Sequence, residues 1–146
     1  MNRFQRSVYI DLFCLTGAFM TEMPMRVLVV DDSPDTAMTL AVLLKHCGHE
    51  AKAALGGEAA LYLAPFFRPD LMFIDLAMPT VDGLTVARQL RQTTEFAGTP
   101  LIAVSGYVDA EHRELATAAG FNGFLAKPFA LLALQETIER FTAKAA

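Results

Sequence analysis

The 146-residue chain is poor in several things that define whole classes of protein, and each shortage removes a class. Cysteine occurs twice, as Cys14 and Cys47, too few for a disulfide framework and without metal-ligand spacing to His46, His49 or His112. Both thiols read as bland, with a reducing compartment as the default. A long uninterrupted apolar run is also missing. The stretch over residues 7–19 is broken by Asp11, falls short of the roughly 18 residues a membrane span needs, and shows no small-residue cleavage site. These points predict a cytoplasmic protein without membrane insertion. Basic residues are outnumbered, 12 Lys+Arg against 16 Asp+Glu for a formal net charge of −4. Contact with phosphate backbones needs clustered positive charge, so direct nucleic-acid binding is disfavoured. No internal repeat or low-complexity tract appears.

What is present is apolar. Hydrophobic residues make up 53% of the chain, aromatic residues 10% and charged residues 19%, in a mass of 15.9 kDa. That is enough side chain for one well-packed domain and not for two, and no separate output domain is expected after Ala146. A disordered or fibrous chain is excluded.

From Met25 onward short apolar runs alternate with segments of helical period, the pattern of a parallel α/β sheet. Residues 26–30 predict a first strand, apolar after Arg26 and rich in β-branched valine, as in strands covered on both faces. Ser33 and Pro34 supply a cap and a first-turn proline to a helix whose Ala37, Leu40, Ala41 and Leu44 share one face and which ends before Gly48. Residues 50–55 predict a weaker, alternating second strand, and residues 57–63 a short helix closed by Pro65. The third strand covers residues 71–75, and the turn at Asp82-Gly83 leads to a helix carrying Leu84, Ala87 and Leu90. The fourth strand covers residues 101–105, followed by a helix from about Ala110 to Ala119 closed by Gly120. A short fifth strand over residues 123–126 precedes a last helix with the stripe Leu131, Leu134, Ile138 and Phe141.

Parallel sheets gather ligands at the carboxyl ends of their strands, where the loops converge beyond the packed helices. Four of the five strands end there in a polar group: Asp31 and Asp32, then Asp75, then Ser105, then Lys127. Any one alone reads as a surface residue or a cap; together they read as one site. Three carboxylates at one edge repel and demand a counter-ion, and a hard oxygen set of this kind suits Mg²⁺. A carboxylate flanked by a metal, an ammonium and a hydroxyl can attack phosphorus and form an aspartyl phosphate. Lys127 and Ser105 are the residues available.

The segments Val30-Asp31-Asp32-Ser33, Ile74-Asp75-Leu76-Ala77-Met78-Pro79, Asp82-Gly83, Val104-Ser105-Gly106 and Leu125-Ala126-Lys127-Pro128-Phe129 occur in this order. Over about residues 25–143 they resemble the receiver domain of two-component response regulators, in particular the single-domain, chemotaxis-regulator-like kind. The resemblance implies a flavodoxin-like (βα)5 fold, with a five-stranded parallel sheet of order 2-1-3-4-5 and helices on both faces. It implies that Asp75 is the phosphoacceptor and that Asp32 and Asp75 hold Mg²⁺. Asp31 would place a metal-bound water, the Ala77 carbonyl would be a further ligand, and Ser105 and Lys127 would take phosphoryl oxygens. Phe124, three positions before the lysine, would pair with Ser105 as the switch, and Lys127-Pro128 would be a cis peptide. The implied partners are a sensor histidine kinase or histidine phosphotransfer protein and a downstream protein target, with the chain a monomer or weak dimer. Residues 1–24 and the tail 144–146 lie outside the resemblance. Met20, Met23 and Met25 each offer an internal start, and the apolar Tyr9, Leu12 and Phe13 would need a partner surface.

A phosphoryl group would draw Ser105 inward and let the Phe124 ring follow, with no polar group lost on burial. The expected activity is therefore a Mg²⁺-dependent self-phosphorylating and self-dephosphorylating switch and not turnover of a separate substrate. Two other readings remain at this point: a receiver-shaped adaptor that works without phosphorylation, and a Mg²⁺-dependent phosphohydrolase, which lacks a cap domain or extended pocket. Ala77 stands two positions beyond the acceptor and has no polar group to orient water, while the bulky Tyr107 stands two beyond the hydroxyl. Slow loss of phosphate is expected. His46, His49 and His112 read as solvated, Met72 and Met78 as packing residues, and Tyr107 as a packing residue or part of the signalling face.

Overall fold

The apolar runs become strands because they can be covered on both faces, and the cover comes from the helical segments between them; the less apolar run at residues 50–54 forms an edge strand. The structure, a computed structural model, describes residues 23–107 and 109–145, with side chains described to residue 142. The readings at Tyr9, Leu12, Phe13, Cys14 and Met20, and at the tail residue Ala146, lie outside the described residues. Strands β1 (Arg26–Val30), β2 (Glu50–Ala54), β3 (Leu71–Asp75), β4 (Leu101–Ser105) and β5 (Gly123–Ala126) pair in parallel in the order β2-β1-β3-β4-β5. Helices α1 (Pro34–His46), α2 (Gly57–Phe67), α3 (Gly83–Gln92), α4 (Ala110–Ala119) and α5 (Leu131–Ala145) connect and follow them.

Successive side chains of a strand point to opposite faces, which divides the core in two. Val27, Val29, Phe73 and Val104 pack with Leu44 of α1 and Ile138 of α5. Leu28, Val30, Met72 and Ile74 pack with Ala60 of α2, Leu90 of α3 and Ala116 of α4. This is the flavodoxin-like (βα)5 arrangement with helices on both faces. Every residue of β3 and β4 is buried, whereas the edge strand β2 alternates between exposed and buried positions. The order reverses between β1 and β3, so their carboxyl ends open onto a crevice.

Several local expectations need correction. Helix α2 continues through Pro65 to Phe67 and stops at Arg68 in a left-handed conformation, φ 53°. Pro65 is exposed, so the bond it cannot donate is lost on the solvent side, while Ala64 and Phe67 are buried beside it. Strand β2 ends at Ala54, leaving Leu55 exposed. Ser33 occupies the cap position of α1 without a side-chain capping bond, and its hydroxyl instead accepts from Thr36 Oγ1 at 3.2 Å. The buried stripe of α5 begins at Leu134, because Leu131 in the first turn overhangs the core and is exposed. His49 is buried, not solvated, with its Nδ1 accepting from the Met25 amide at 3.0 Å. Tyr107 is exposed, its ring stacked on His112 and outside the core. Lys127-Pro128 is cis, as expected. Among the described residues no helix is long and apolar enough to cross a membrane.

Candidate functional site

Asp31 and Asp75 are placed by backbone bonds that extend the sheet past the ends of their strands. The Asp31 amide donates to the Ala54 carbonyl at 3.1 Å and the Leu76 amide to the Val104 carbonyl at 3.2 Å, so the end of β1 is tied to β2 and the end of β3 to β4. Asp31 is buried; its Oδ1 accepts from the Ser33 amide at 3.0 Å and its Oδ2 from Lys127 Nζ at 3.0 Å. Asp32 is exposed beside it. Asp75 is 6% exposed, with Oδ1 accepting from the Ala77 amide at 3.1 Å and Oδ2 lying 3.3 Å from Lys127 Nζ. One oxygen from each of Asp31, Asp32 and Asp75 falls within 4.8 Å of the others.

Lys127 reaches this cluster from β5 because its amide donates to the Ser105 carbonyl at 2.8 Å, locking the ends of β4 and β5 together. Ser105 is buried, and its Oγ accepts from the Tyr107 amide at 3.0 Å. The structure thus brings Asp31, Asp32, Asp75 and Lys127 into one pocket, with Ser105 joined to Lys127 through the backbone. Ala77 is exposed and meets Asp75 through its amide. Phe124 lies in β5, half-buried against the core on the α2–α4 side, with the Arg113 guanidinium 4.8 Å from its ring centroid.

The charges follow from this geometry. Burial pushes the Asp75 carboxyl above its usual range, and the neighbouring Asp31 adds to the rise, while the Ala77 amide and Lys127 oppose it without cancelling it. For Lys127, burial disfavours the ammonium, but the hydrogen bond to Asp31 and the charge of Asp75 outweigh burial and hold its pKa above the ordinary value. Among the described residues three carboxylates face a single ammonium. The donors are all hard oxygens and the pocket carries excess negative charge, which fits a small divalent cation such as Mg²⁺.

Gly83, which the sequence places at a turn and in one segment of the resemblance without a stated role, shapes the site. A Cβ there would collide with the Asp75 carbonyl, and its amide donates to the Leu76 carbonyl at 3.2 Å. Asp82 caps α3 by accepting from the Thr85 amide at 2.8 Å. The Asp-Gly pair was the one available signal, and it speaks of a turn as readily as of a close approach.

Comparison with known proteins points one way. The family model for the response regulator receiver domain matches residues 27–139. Response regulator MprA of Mycolicibacterium vanbaalenii is 38% identical over 109 residues, which are 75% of this chain and 46% of that regulator. This chain thus spans about half the length of that relative. The structure of the chemotaxis protein CheY4 of Vibrio cholerae matches with a TM-score of 0.78 at 29% identity, covering 81% of this chain and 98% of that one. The receiver domain of the sensor histidine kinase PA1611 from Pseudomonas aeruginosa, described with a magnesium ion coordinated in its active site cleft, matches with a TM-score of 0.76. That match has 28% identity and covers 82% of this chain and 98% of the other.

Proposed function

The chain belongs to the response regulator receiver domain family of two-component signalling, and from that premise we propose that Asp75 accepts a phosphoryl group from the phosphohistidine of a sensor kinase or phosphotransfer protein. The observation that carries this reading is the Asp75 carboxylate, buried and ion-paired to Lys127 beside two further acids. Residues 25–143 form the receiver unit. A carboxylate oxygen of Asp75 forms the new O–P bond as the P–N bond to the donor imidazole breaks, and the imidazole leaves with the electron pair. Lys127 Nζ balances charge on the phosphoryl oxygens, and the Ser105 hydroxyl donates to one of them. Asp31, Asp32, Asp75 and the Ala77 carbonyl would hold Mg²⁺, whose chemistry is to neutralise the oxygens of the transferring group.

Turning Ser105 toward the phosphoryl group frees space for the Phe124 ring, and the surface formed by α4, β5 and α5 changes with it. The readout is a protein partner in the cytoplasm, with no direct contact to nucleic acid, and the chain acts as a monomer or weak dimer. The intact set of acids, lysine and hydroxyl favours this over a phosphorylation-independent adaptor. Incubation with acetyl phosphate and Mg²⁺, read by intact mass, tests it. The wild-type chain is expected to gain one phosphoryl group, and Asp75→Asn and Asp75→Ala none; a wild type that gains nothing, or an Asp75→Asn that still gains it, overturns the reading.

A further inference from the structure

The loop after β4 is tied to the first turn of α4 by a chain of contacts that the phosphotransfer chemistry leaves unused. The Asp109 carboxylate caps α4 by accepting from the His112 amide at 2.9 Å, and both of its oxygens lie 2.7 Å from the His112 Nδ1. The imidazole held in this way stacks on the Tyr107 ring, with centroids 4.9 Å apart and planes 13° from parallel. The Tyr107 amide in turn donates to Ser105 Oγ at 3.0 Å. The next residue of the helix, Arg113, lays its guanidinium over the Phe124 ring at 4.8 Å. Two adjacent residues of one helical turn therefore hold a group at the end of β4 and a ring in the neighbouring β5.

We propose that His112 and Arg113 are positioning residues that latch Ser105 and Phe124 in the unphosphorylated arrangement, and that both contacts are given up when a phosphoryl group recruits the Ser105 hydroxyl. The proposal rests on Asp75 as the phosphate acceptor. The physical link is short. When Ser105 turns, the amide two residues on moves with its hydrogen-bond acceptor, and the Tyr107 ring is drawn off His112. When the Phe124 ring rotates, it leaves the guanidinium. A stacked ring pair and a half-exposed cation–π contact each correspond to a factor of about two to five in an equilibrium constant. A ligand that binds only the released arrangement gains that factor when the latch is removed.

The test titrates beryllofluoride, a phosphoryl mimic, with Mg²⁺ onto the full chain and measures Kd by NMR. His112→Ala and Arg113→Ala are each expected to bind about two- to fivefold more tightly than wild type, and the double variant more tightly than either. Tyr107→Phe keeps the stacked ring and is expected to retain wild-type affinity. In the free protein the His112 ring protons are expected to be shifted upfield by the Tyr107 ring, and to lose that shift on saturation. A purely structural contact would not produce that loss. Unchanged or weaker binding by both alanine variants, or an upfield shift that persists in the complex, overturns the latch. If the wild type fails to bind beryllofluoride at all, the acceptor role of Asp75 fails first and takes the latch with it, so the two failures are distinguishable.

Discussion

A neutral imidazole stands where the chain enters the sheet. His49, just before β2, accepts from the amide of Met25, just before β1, at 3.0 Å, and burial holds its pKa below the ordinary histidine value. Protonation would remove the acceptor and bury a charge, so the folded state takes up this proton only at lower pH than the unfolded chain. The unfolded state binds more protons below about pH 6.5. The stability that His49 contributes is therefore complete above that pH and is lost as pH falls toward the depressed folded value. Urea denaturation between about pH 7 and pH 5 is expected to show a steeper fall in unfolding free energy for wild type than for His49→Asn, which keeps an acceptor but does not titrate; equal slopes would count against it. Nothing around His49 advertised this role, because its partner is a backbone amide 24 positions away and a histidine after a helix-ending glycine reads as solvated. Asp31, Asp75, Ser105 and Lys127 were legible for the opposite reason. Each is the polar residue that ends an apolar run on the edge where parallel sheets collect ligands.

At the scale of elements, the connection from β3 to α3 governs how Asp75 is presented. It turns within a few residues: the Val81 amide donates to the Pro79 carbonyl at 2.8 Å, and Thr80 adopts φ 68°. Helix α3 then starts so close to the strand that only a residue without Cβ fits at Gly83, against the Asp75 carbonyl. Gly83→Ala must push either the helix or the acceptor strand, and overpacking of this kind costs about 1–3 kcal/mol. Chemical denaturation is expected to show that loss, and acetyl phosphate labelling of Asp75 is expected to slow. Gly98→Ala is the control, since nothing lies within 4 Å of a Cβ there, and it is expected to match wild type in both. A Gly83→Ala chain that labels at the wild-type rate with unchanged stability would remove the argument. The strands were legible as elements because burial on both faces leaves them uniformly apolar, and β2 was weaker because an edge strand alternates. The end of α2 was not legible. Proline is a reliable breaker only where the lost bond and the ring face packed neighbours, and Pro65 faces solvent.

At the scale of the whole molecule, the sheet order carries a cost. Reversing the order in which parallel strands are added, between β1 and β3, brings the ends of both strands into one crevice, and with them, among the described residues, three carboxylates against one ammonium. Self-repulsion of that kind disfavours the folded state relative to a chain in which the acids are dispersed. A divalent cation that binds the assembled pocket and not the unfolded chain reverses the penalty. At ten times its Kd such an ion adds about 1.4 kcal/mol, or a few degrees of Tm for a domain of this size. Thermal unfolding is therefore expected to rise by a few degrees as Mg²⁺ is added and to return when it is chelated. Asp32→Asn removes one exposed carboxylate that makes no structural hydrogen bond among the described residues, so it is expected to melt slightly above wild type without Mg²⁺. The same substitution removes a cation ligand, so most of the Mg²⁺-dependent increment is expected to disappear. These two changes have opposite signs on one substitution, which general weakening of the fold cannot produce. A variant that loses stability in both conditions alike would mean that the acids serve the fold and not the ion.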